Sequence, residues 1–318
     1  EKPLYYGFRG KTMLFSSELK AIEAFPETSS IIDRNSLEIY LKFGYIPAPY
    51  SIYQGIYKLP QGSFVEFSIE DVKARLIPKN TKYWSFELMT KRQQSHPFLG
   101  SDVDAINCLE SLLKDTISGQ MLGDVPVGAF LSGGIDSSTV VSIMQSQSKN
   151  PLNTFTVGFK EFGYDESNSA RLISSLIGTN HSDIILSPND AIKIIPYLPE
   201  IYDEPFSDVS QIPTFLISKF ASQNVKVCLS GDGGDELFCG YSRHIAGPRI
   251  WHIARKIPKP IRKFFVNFIH SFPPTTWDHF YYFCEFLLPK HLRLNFPGLK
   301  IYKISDLINN ESLYEVYL

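Results

Sequence analysis

Residues Asp124 to Gln145, DVPVGAFLSGGIDSSTVVSIMQ, restrict the fold more than any other stretch of the chain. Pro126 disfavours a helical backbone at Val125, and Val127, Ala129, Phe130 and Leu131 then form a short apolar run of the buried-strand kind. The run stops at Ser132. Gly133 and Gly134 permit a tight turn and close approach to a ligand, after which Thr139, Val140, Val141, Ile143 and Met144 recur at helical spacing. The order is strand, glycine turn, helix. Such a turn aims unpaired N–H groups and the positive end of a helix dipole at one point, which suits a phosphate. Ser132, Ser137 and Ser138 add hydroxyls to it. The turn contains no Lys and is not a Walker A loop; it has Asp136 instead, an acid compatible with phosphate when Mg²⁺ lies between the two.

Lys226 to Tyr241, KVCLSGDGGDELFCGY, repeats the arrangement. Val225, Val227 and Leu229 form the strand, Ser230 to Gly234 the turn, and Asp235 to Phe238 the entry to a helix. Asp232, Asp235 and Glu236 concentrate negative charge there, so a metal ligand or a general base is expected. Between the two turns the pattern predicts a strand over Thr154–Phe159, a helix over Asn168–Ile177, a strand over Ile184–Leu186 and a helix opened by Pro188 and running to Ile195. A helix over Asp104–Ser118 precedes them. This alternation predicts a parallel sheet covered on both faces, with ligands at the carboxyl ends of its strands.

SGGIDSS resembles the pyrophosphate loop of enzymes that cleave ATP between its α and β phosphates. Together with DVPVGAF before it and SGDGGDELF about a hundred residues later, it resembles the synthetase domain of the glutamine-dependent asparagine synthetase family. EKPLYYG, LFSSELKAI and KLPQGSF resemble the last part of that family's glutaminase domain. The resemblance implies an α/β fold of the pyrophosphate-loop ATP pyrophosphatase (adenine nucleotide α-hydrolase-like) kind, preceded by a partial α+β glutaminase segment of the N-terminal nucleophile type. The expected divisions are 1–77 for the glutaminase remnant, 78–100 for a polar, irregular linker with Tyr83 and Trp84 as anchors, and 101–318 for the synthetase domain.

The same resemblance implies a chemistry. A carboxylate, aspartate by default, attacks the α-phosphorus of ATP and releases pyrophosphate; ammonia then displaces AMP to give an amide. Ser132, Gly133, Gly134, Ser137 and Ser138 would cradle the pyrophosphate, Asp136 and Asp235 would hold Mg²⁺, and Ser230, Gly231 and Tyr241 would contact the nucleotide or acyl-adenylate. Phe130 and Val157 would border the adenine. Asp232 stands where family members often carry Glu, and with Asp136 and Asp235 completes the implied catalytic set. Tyr164, Asp165, Glu166, His181, Asp208 and Ser210 also match family elements; solvated acids, a hydrogen-bonded structural histidine and helix capping are the competing roles for these residues. The family's downstream lysine has no assigned counterpart. Residue 1 is Glu where the glutaminase needs a terminal Cys nucleophile, so this chain is expected to use free ammonia, glutamine being the family's usual nitrogen source.

Composition narrows the alternatives. A net charge of -2 and a pI near 6.4 give no footprint for nucleic acid, which weighs against a tRNA-modifying adenylating enzyme. Cys108, Cys228, Cys239 and Cys284 form no CxxC pair, so a cytoplasmic protein without a zinc site or disulfide framework is expected. No apolar run is long enough for stable membrane insertion. A homodimer is left open, as are a sugar or other small acid as acceptor and a nucleotide-binding module without catalysis. The aromatic segment from Ser242 onward contains Arg249, Arg255, Lys256, Lys259, Arg262 and Lys263, a pattern of a solvated helix face, a site for an acidic substrate or a membrane-surface patch.

Overall fold

A computed structural model describes residues 2–26, 30–159, 166–238, 240–284 and 297–309. The chain divides into two compact units, Glu1–Gly231 and Asp232–Leu318.

The first unit begins with β1 (Tyr5–Arg9), β2 (Thr12–Ser16), α1 (Leu19–Glu23), α2 (Arg34–Phe43) and β3 (Ile56–Lys58). The three strands form an antiparallel sheet in the order β2-β1-β3, with Tyr5, Leu19, Ile22, Ile46, Ile52 and Ile56 as its core. Gly10, with φ 59°, makes the hairpin turn. Gly7 lies inside β1, paired with Leu14 on one side and Ile56 on the other. A Cβ there would stand 2.1 Å from the Gly55 carbonyl oxygen, so close strand approach is what requires glycine. Asp33 caps α2, accepting from the Asn35 and Ser36 N–H groups at 2.8 and 3.2 Å.

β4 (Ser63–Phe64) is followed by α3 (Ile69–Ala74), β5 (Thr81–Lys82) and α4 (Phe86–Gln94). The linker is thus not irregular: β5 pairs with β4, and Ser85 caps α4. Its attachment runs through backbone, because the Tyr83 and Trp84 N–H groups donate to Gly62 O at 2.8 and 3.1 Å while both side chains remain largely exposed.

Next come α5 (Asp102–Met121), β6 (Val127–Phe130), α6 (Ile135–Gln147), β7 (Asn153–Phe159), α7 (Ser167–Ile177) and β8 (Asn180–Leu186). The short helices α8 (Pro188–Ile194) and α9 (Leu198–Ile201), then α10 (Gln211–Ala221), lead to β9 (Val227–Leu229). Strands β6 to β9 form one parallel sheet in the order β8-β7-β6-β9. Alternation along the strands divides the core in two. Ala129, Leu131 and Leu229 pack with Ile117 of α5, Val141 and Met144 of α6 and Ala170 of α7, whereas Phe155 packs with Ile217 and Ala221 of α10. Helices therefore cover both faces. The chain adds strands on one side of β6 and then crosses to add β9 on the other, which makes the β6–β9 gap the switch point where doubly wound sheets bind ligands.

The second unit is helical: α11 (Gly234–Phe238), α12 (Ser242–Ala254), α13 (Lys259–His270), α14 (Pro274–Cys284) and α15 (Pro297–Asn309). Arg262 of α13 is buried and donates to Ile308 O at 2.9 Å, and the Trp277 indole of α14 donates to Ile269 O at 3.0 Å. Gly298 opens α15 so close to α14 that a Cβ would meet Pro274 O at 2.0 Å.

Candidate active site

Strands β6 and β9 pair with Ala129 opposite Leu229, so the chain leaves the sheet at the same edge after both. The first exit is Ser132 to Ser138. Gly133 takes φ +85°, and a Cβ on it would lie 2.8 Å from Ser169 Cβ; the turn needs glycine for conformation and for space. Ser132 and Ser137 hydroxyls lie 2.9 Å apart, the Ser132 N–H donates to Ser137 Oγ at 3.2 Å, and the Gly134 N–H donates to Ser132 Oγ at 3.3 Å. These bonds hold the loop open as a ring around the start of α6. Asp136 lies in the first turn of that helix.

Ser138 completes the loop differently. Its Oγ is buried and has no hydrogen-bond partner among the described residues. A buried hydroxyl left in this state costs free energy unless a ligand satisfies it. Its position one turn into α6, where unpaired N–H groups and the helix dipole favour an anion, fits phosphate oxygen as that ligand.

The second exit is Ser230–Gly231. A Cβ on Gly231 would stand 2.7 Å from the Ser137 N and 3.0 Å from the Asp136 carbonyl carbon, so the two glycine turns touch at Asp136–Ser137. The structure thereby brings together Ser132, Gly133, Gly134, Asp136, Ser137, Ser138, Ser230 and Gly231. Phe130 and Val157 lie elsewhere in the same unit, partly buried in the core beneath α10. Asp232, Asp235 and Tyr241 belong to the second unit. There Gly233 has φ +92°, Asp235 and Glu236 occupy the first turn of α11, and the Tyr241 hydroxyl donates to Glu236 Oε1 at 2.6 Å. The Asp235 carboxylate lies against Gly240, whose place any side chain would contest. Among the described residues, no group of three or more His, Cys, Asp or Glu side chains is placed to hold a metal.

The secondary matches sort themselves by position. Tyr164 and Asp165 lie outside the described residues, and Glu166 precedes α7 without making a side-chain cap. His181 is the second residue of β8, in register with Thr154 of β7; its Nδ1 lies 3.0 Å from Thr154 Oγ1. Burial lowers its pKa below the ordinary histidine value. Asp208 accepts the Ser210 N–H at 2.7 Å, a local turn leading into α10.

One pair had no signal in the local pattern. Glu204 accepts the Ile52 N–H at 2.7 Å and the Tyr5 hydroxyl at 3.1 Å and pairs with Lys58, while Asp203 accepts the Leu19 N–H and lies 3.4 Å from Lys20 Nζ. Burial, and then the Glu204 charge, push the Tyr5 phenol well above its usual pKa. These two acids fasten the antiparallel sheet to the segment that leads into α10.

The geometry defines a doubly wound α/β domain in which two glycine turns meet at the switch point of the parallel sheet. The asparagine synthase profile matches residues 108–312 and the glutamine amidotransferase domain profile matches residues 1–84. The chain belongs to the asparagine synthase family. A relative in Methanocaldococcus jannaschii, provisionally named asparagine synthetase [glutamine-hydrolyzing] 2, is 39% identical over 82% of this chain and 49% of its own length. Asparagine synthetase [glutamine-hydrolyzing] 1 of Bacillus subtilis is 31% identical over 76% of this chain and 36% of its own length. The chain thus spans about half or less of these relatives. Among solved structures, the NH3-dependent NAD synthetase of Campylobacter jejuni matches at TM-score 0.31 and 14% identity, over 43% of this chain and 60% of that one.

Proposed function

We propose that the chain performs the ATP-dependent half of amide synthesis: it adenylates a small carboxylate, aspartate by default, releases pyrophosphate, and lets ammonia displace AMP. The observation that supports it is the meeting of two glycine turns at Asp136–Ser137 with a buried, unpartnered Ser138 hydroxyl beside them. Ser132, Gly133 and Gly134 shape the loop, whose N–H groups and Ser138 hydroxyl receive the β and γ phosphates as they leave. Because these donors are fixed before the reaction, they stabilise charge developing on the pyrophosphate without rearrangement. Gly231 keeps the second turn close enough for Ser230 to reach the same nucleotide, whereas Phe130 and Val157, engaged in the core beneath α10, are not assigned to its base. Asp232 is the candidate to take a proton from the incoming ammonia nitrogen.

Asp136 and Asp235 are the residues that would hold Mg²⁺, which when bound neutralises phosphate charge. A donor set of few carboxylates fits an ion that keeps most positions for phosphate oxygens and water. Ammonia, supplied from glutamine or taken up free, is the proposed nitrogen donor. The free thiols Cys108 and Cys228 support a reducing, cytoplasmic setting.

The test is ATP–pyrophosphate exchange dependent on the carboxylate, with AMP as the nucleotide product. Asp136→Asn should lower exchange by about 10²–10³-fold with an unchanged circular dichroism spectrum. ADP as the sole product, or full exchange in that variant, would overturn the proposal.

A further inference from the structure

The proposed chemistry makes no use of one face of the second unit. From Leu237 to Trp277 the chain contains no Asp or Glu and seven Arg or Lys, although its overall net charge is -2. Arg249, Arg255, Lys256, Lys259 and Lys263 are all exposed. The last four gather around the N-terminal end of α13, where the helix dipole adds further positive character.

Helix α13 turns Val266 and Arg262 inward, yet leaves a second apolar stripe outside. Ile261, Phe264, Phe265 and Phe268, with Phe272 just beyond the helix, are 46, 68, 56, 50 and 43% exposed. Their offsets of 3, 4, 7 and 11 from Ile261 place them on one side of a helix, within an arc of about 100°. The stripe is ordered by ring contacts: Phe264–Phe265 at 6.0 Å, Phe268–Phe272 at 5.8 Å, and Trp277 against Phe268 and Phe272 at 6.2 and 6.1 Å. Contiguous exposed apolar surface of this kind marks an interaction site.

We infer that α13 and the basic turn before it rest on an anionic lipid surface, the phenylalanines entering the boundary between headgroups and acyl chains and the cations meeting lipid phosphates. Charge selects this occupant over a second copy of the chain, since docking stripe to stripe would set one acid-free cationic segment against another. Length sets the mode of contact. Helix α13 has 12 residues, and no described helix is long and apolar enough to cross a membrane, so contact is in the plane of the interface. Phenylalanine with lysine and arginine is the residue chemistry of such interfacial helices.

The experiment is co-sedimentation of the whole chain with vesicles of phosphatidylcholine alone and of phosphatidylcholine mixed with phosphatidylglycerol. Binding is expected to the anionic vesicles only and should weaken as salt rises. Removing Arg255 and Lys256 of the basic turn together, as Arg255→Gln with Lys256→Gln, should cost about 25-fold in partitioning, about fivefold for each cation. Phe264→Ser with Phe268→Ser should abolish binding at low salt. Both pairs are exposed, so circular dichroism and pyrophosphate exchange should be unchanged; exchange also reads the proposed function independently of this inference. Equal binding to both vesicle types, no binding, or binding that survives the phenylalanine changes would overturn it. So would full competition by glycerol phosphate, which would reveal a small-anion site, or a dimer in sedimentation velocity that the phenylalanine changes dissolve, which would reveal a second copy as the occupant.

Discussion

The loop after β6 and the seam around Glu204 are both built from polar side chains at the border of a packed core, and they treat hydrogen bonds in opposite ways. At the seam, each Glu204 carboxylate oxygen has a partner drawn from far away in sequence: Ile52 N–H on one, the Tyr5 hydroxyl and Lys58 on the other. At the loop, Ser132 and Ser137 satisfy one another while Ser138 Oγ is buried and unmatched among the described residues. A saturated polar cluster contributes to a single fixed geometry, whereas an unsatisfied one stores affinity for whatever arrives. The Glu204 carboxylate thus serves architecture and the loop is the proposed receptor; Asp203, whose Oδ1 is buried with only the Lys20 ammonium at 3.4 Å, lies between the two cases.

If that contrast is right, the largest effect on stability should come from the seam. Glu204→Ala leaves the Lys58 ammonium, only 14% exposed, without its carboxylate. Removing one partner of such a pair costs about 3 kcal/mol, read from the midpoint of urea unfolding, while pyrophosphate exchange below the transition should stay within a few-fold of the parent. Adding Lys58→Met should recover part of the loss, because the stranded charge goes with it. A Glu204→Ala protein as stable as the parent would erase the distinction between the two regions.

Ser138→Ala asks the converse question. Deleting a hydroxyl that has no partner should leave stability unchanged or slightly raised, since the buried group loses only a desolvation penalty. Affinity for ATP should fall about tenfold, the worth of one hydrogen bond to a charged phosphate, as measured by the concentration dependence of exchange. A loss of stability with unchanged ATP dependence would assign Ser138 to the architecture instead.

The loop was legible in sequence because its physics is local. Strand, turn and helix follow within Val127–Gln147, and glycine, serine and aspartate are each required by the turn itself. The seam was not, because Glu204 finds Ile52 and Tyr5 at separations of 152 and 199 residues, which no periodicity records. β3 escaped for a related reason: three residues, Ile56–Lys58, are too short for alternation to show and become a strand only by pairing with β1. Gly7 shows the same limit. Nothing in the residues around it marks the need for glycine, because the Gly55 carbonyl that excludes a side chain comes from far along the chain.

His181 offers the smallest and most discriminating test, because its hydrogen bonds run into the scaffold although it shares a sheet row with Ala129 and Leu229, from which both glycine turns leave. Its Nδ1 meets Thr154 Oγ1, which lies 2.9 Å from Thr179 Oγ1, which in turn lies 2.9 Å from Ser174 Oγ. The opposite nitrogen, Nε2, is buried without a hydrogen-bond partner among the described residues. Burial disfavours the imidazolium, so the folded-state pKa lies below the ordinary value near 6.5. Above that ordinary value both folded and unfolded chains hold a neutral ring, and stability is independent of the group. As pH falls below it, the unfolded chain takes up a proton that the folded chain resists, so stability is lost until the folded pKa is passed. Melting temperature should therefore decline on acidification from about pH 6.5, and His181→Gln should flatten that decline while leaving the pH profile of exchange in place. If the substitution shifted the exchange profile instead, the His181–Thr154 pair would belong to the proposed receptor, and the separation between site and scaffold would have to be drawn elsewhere.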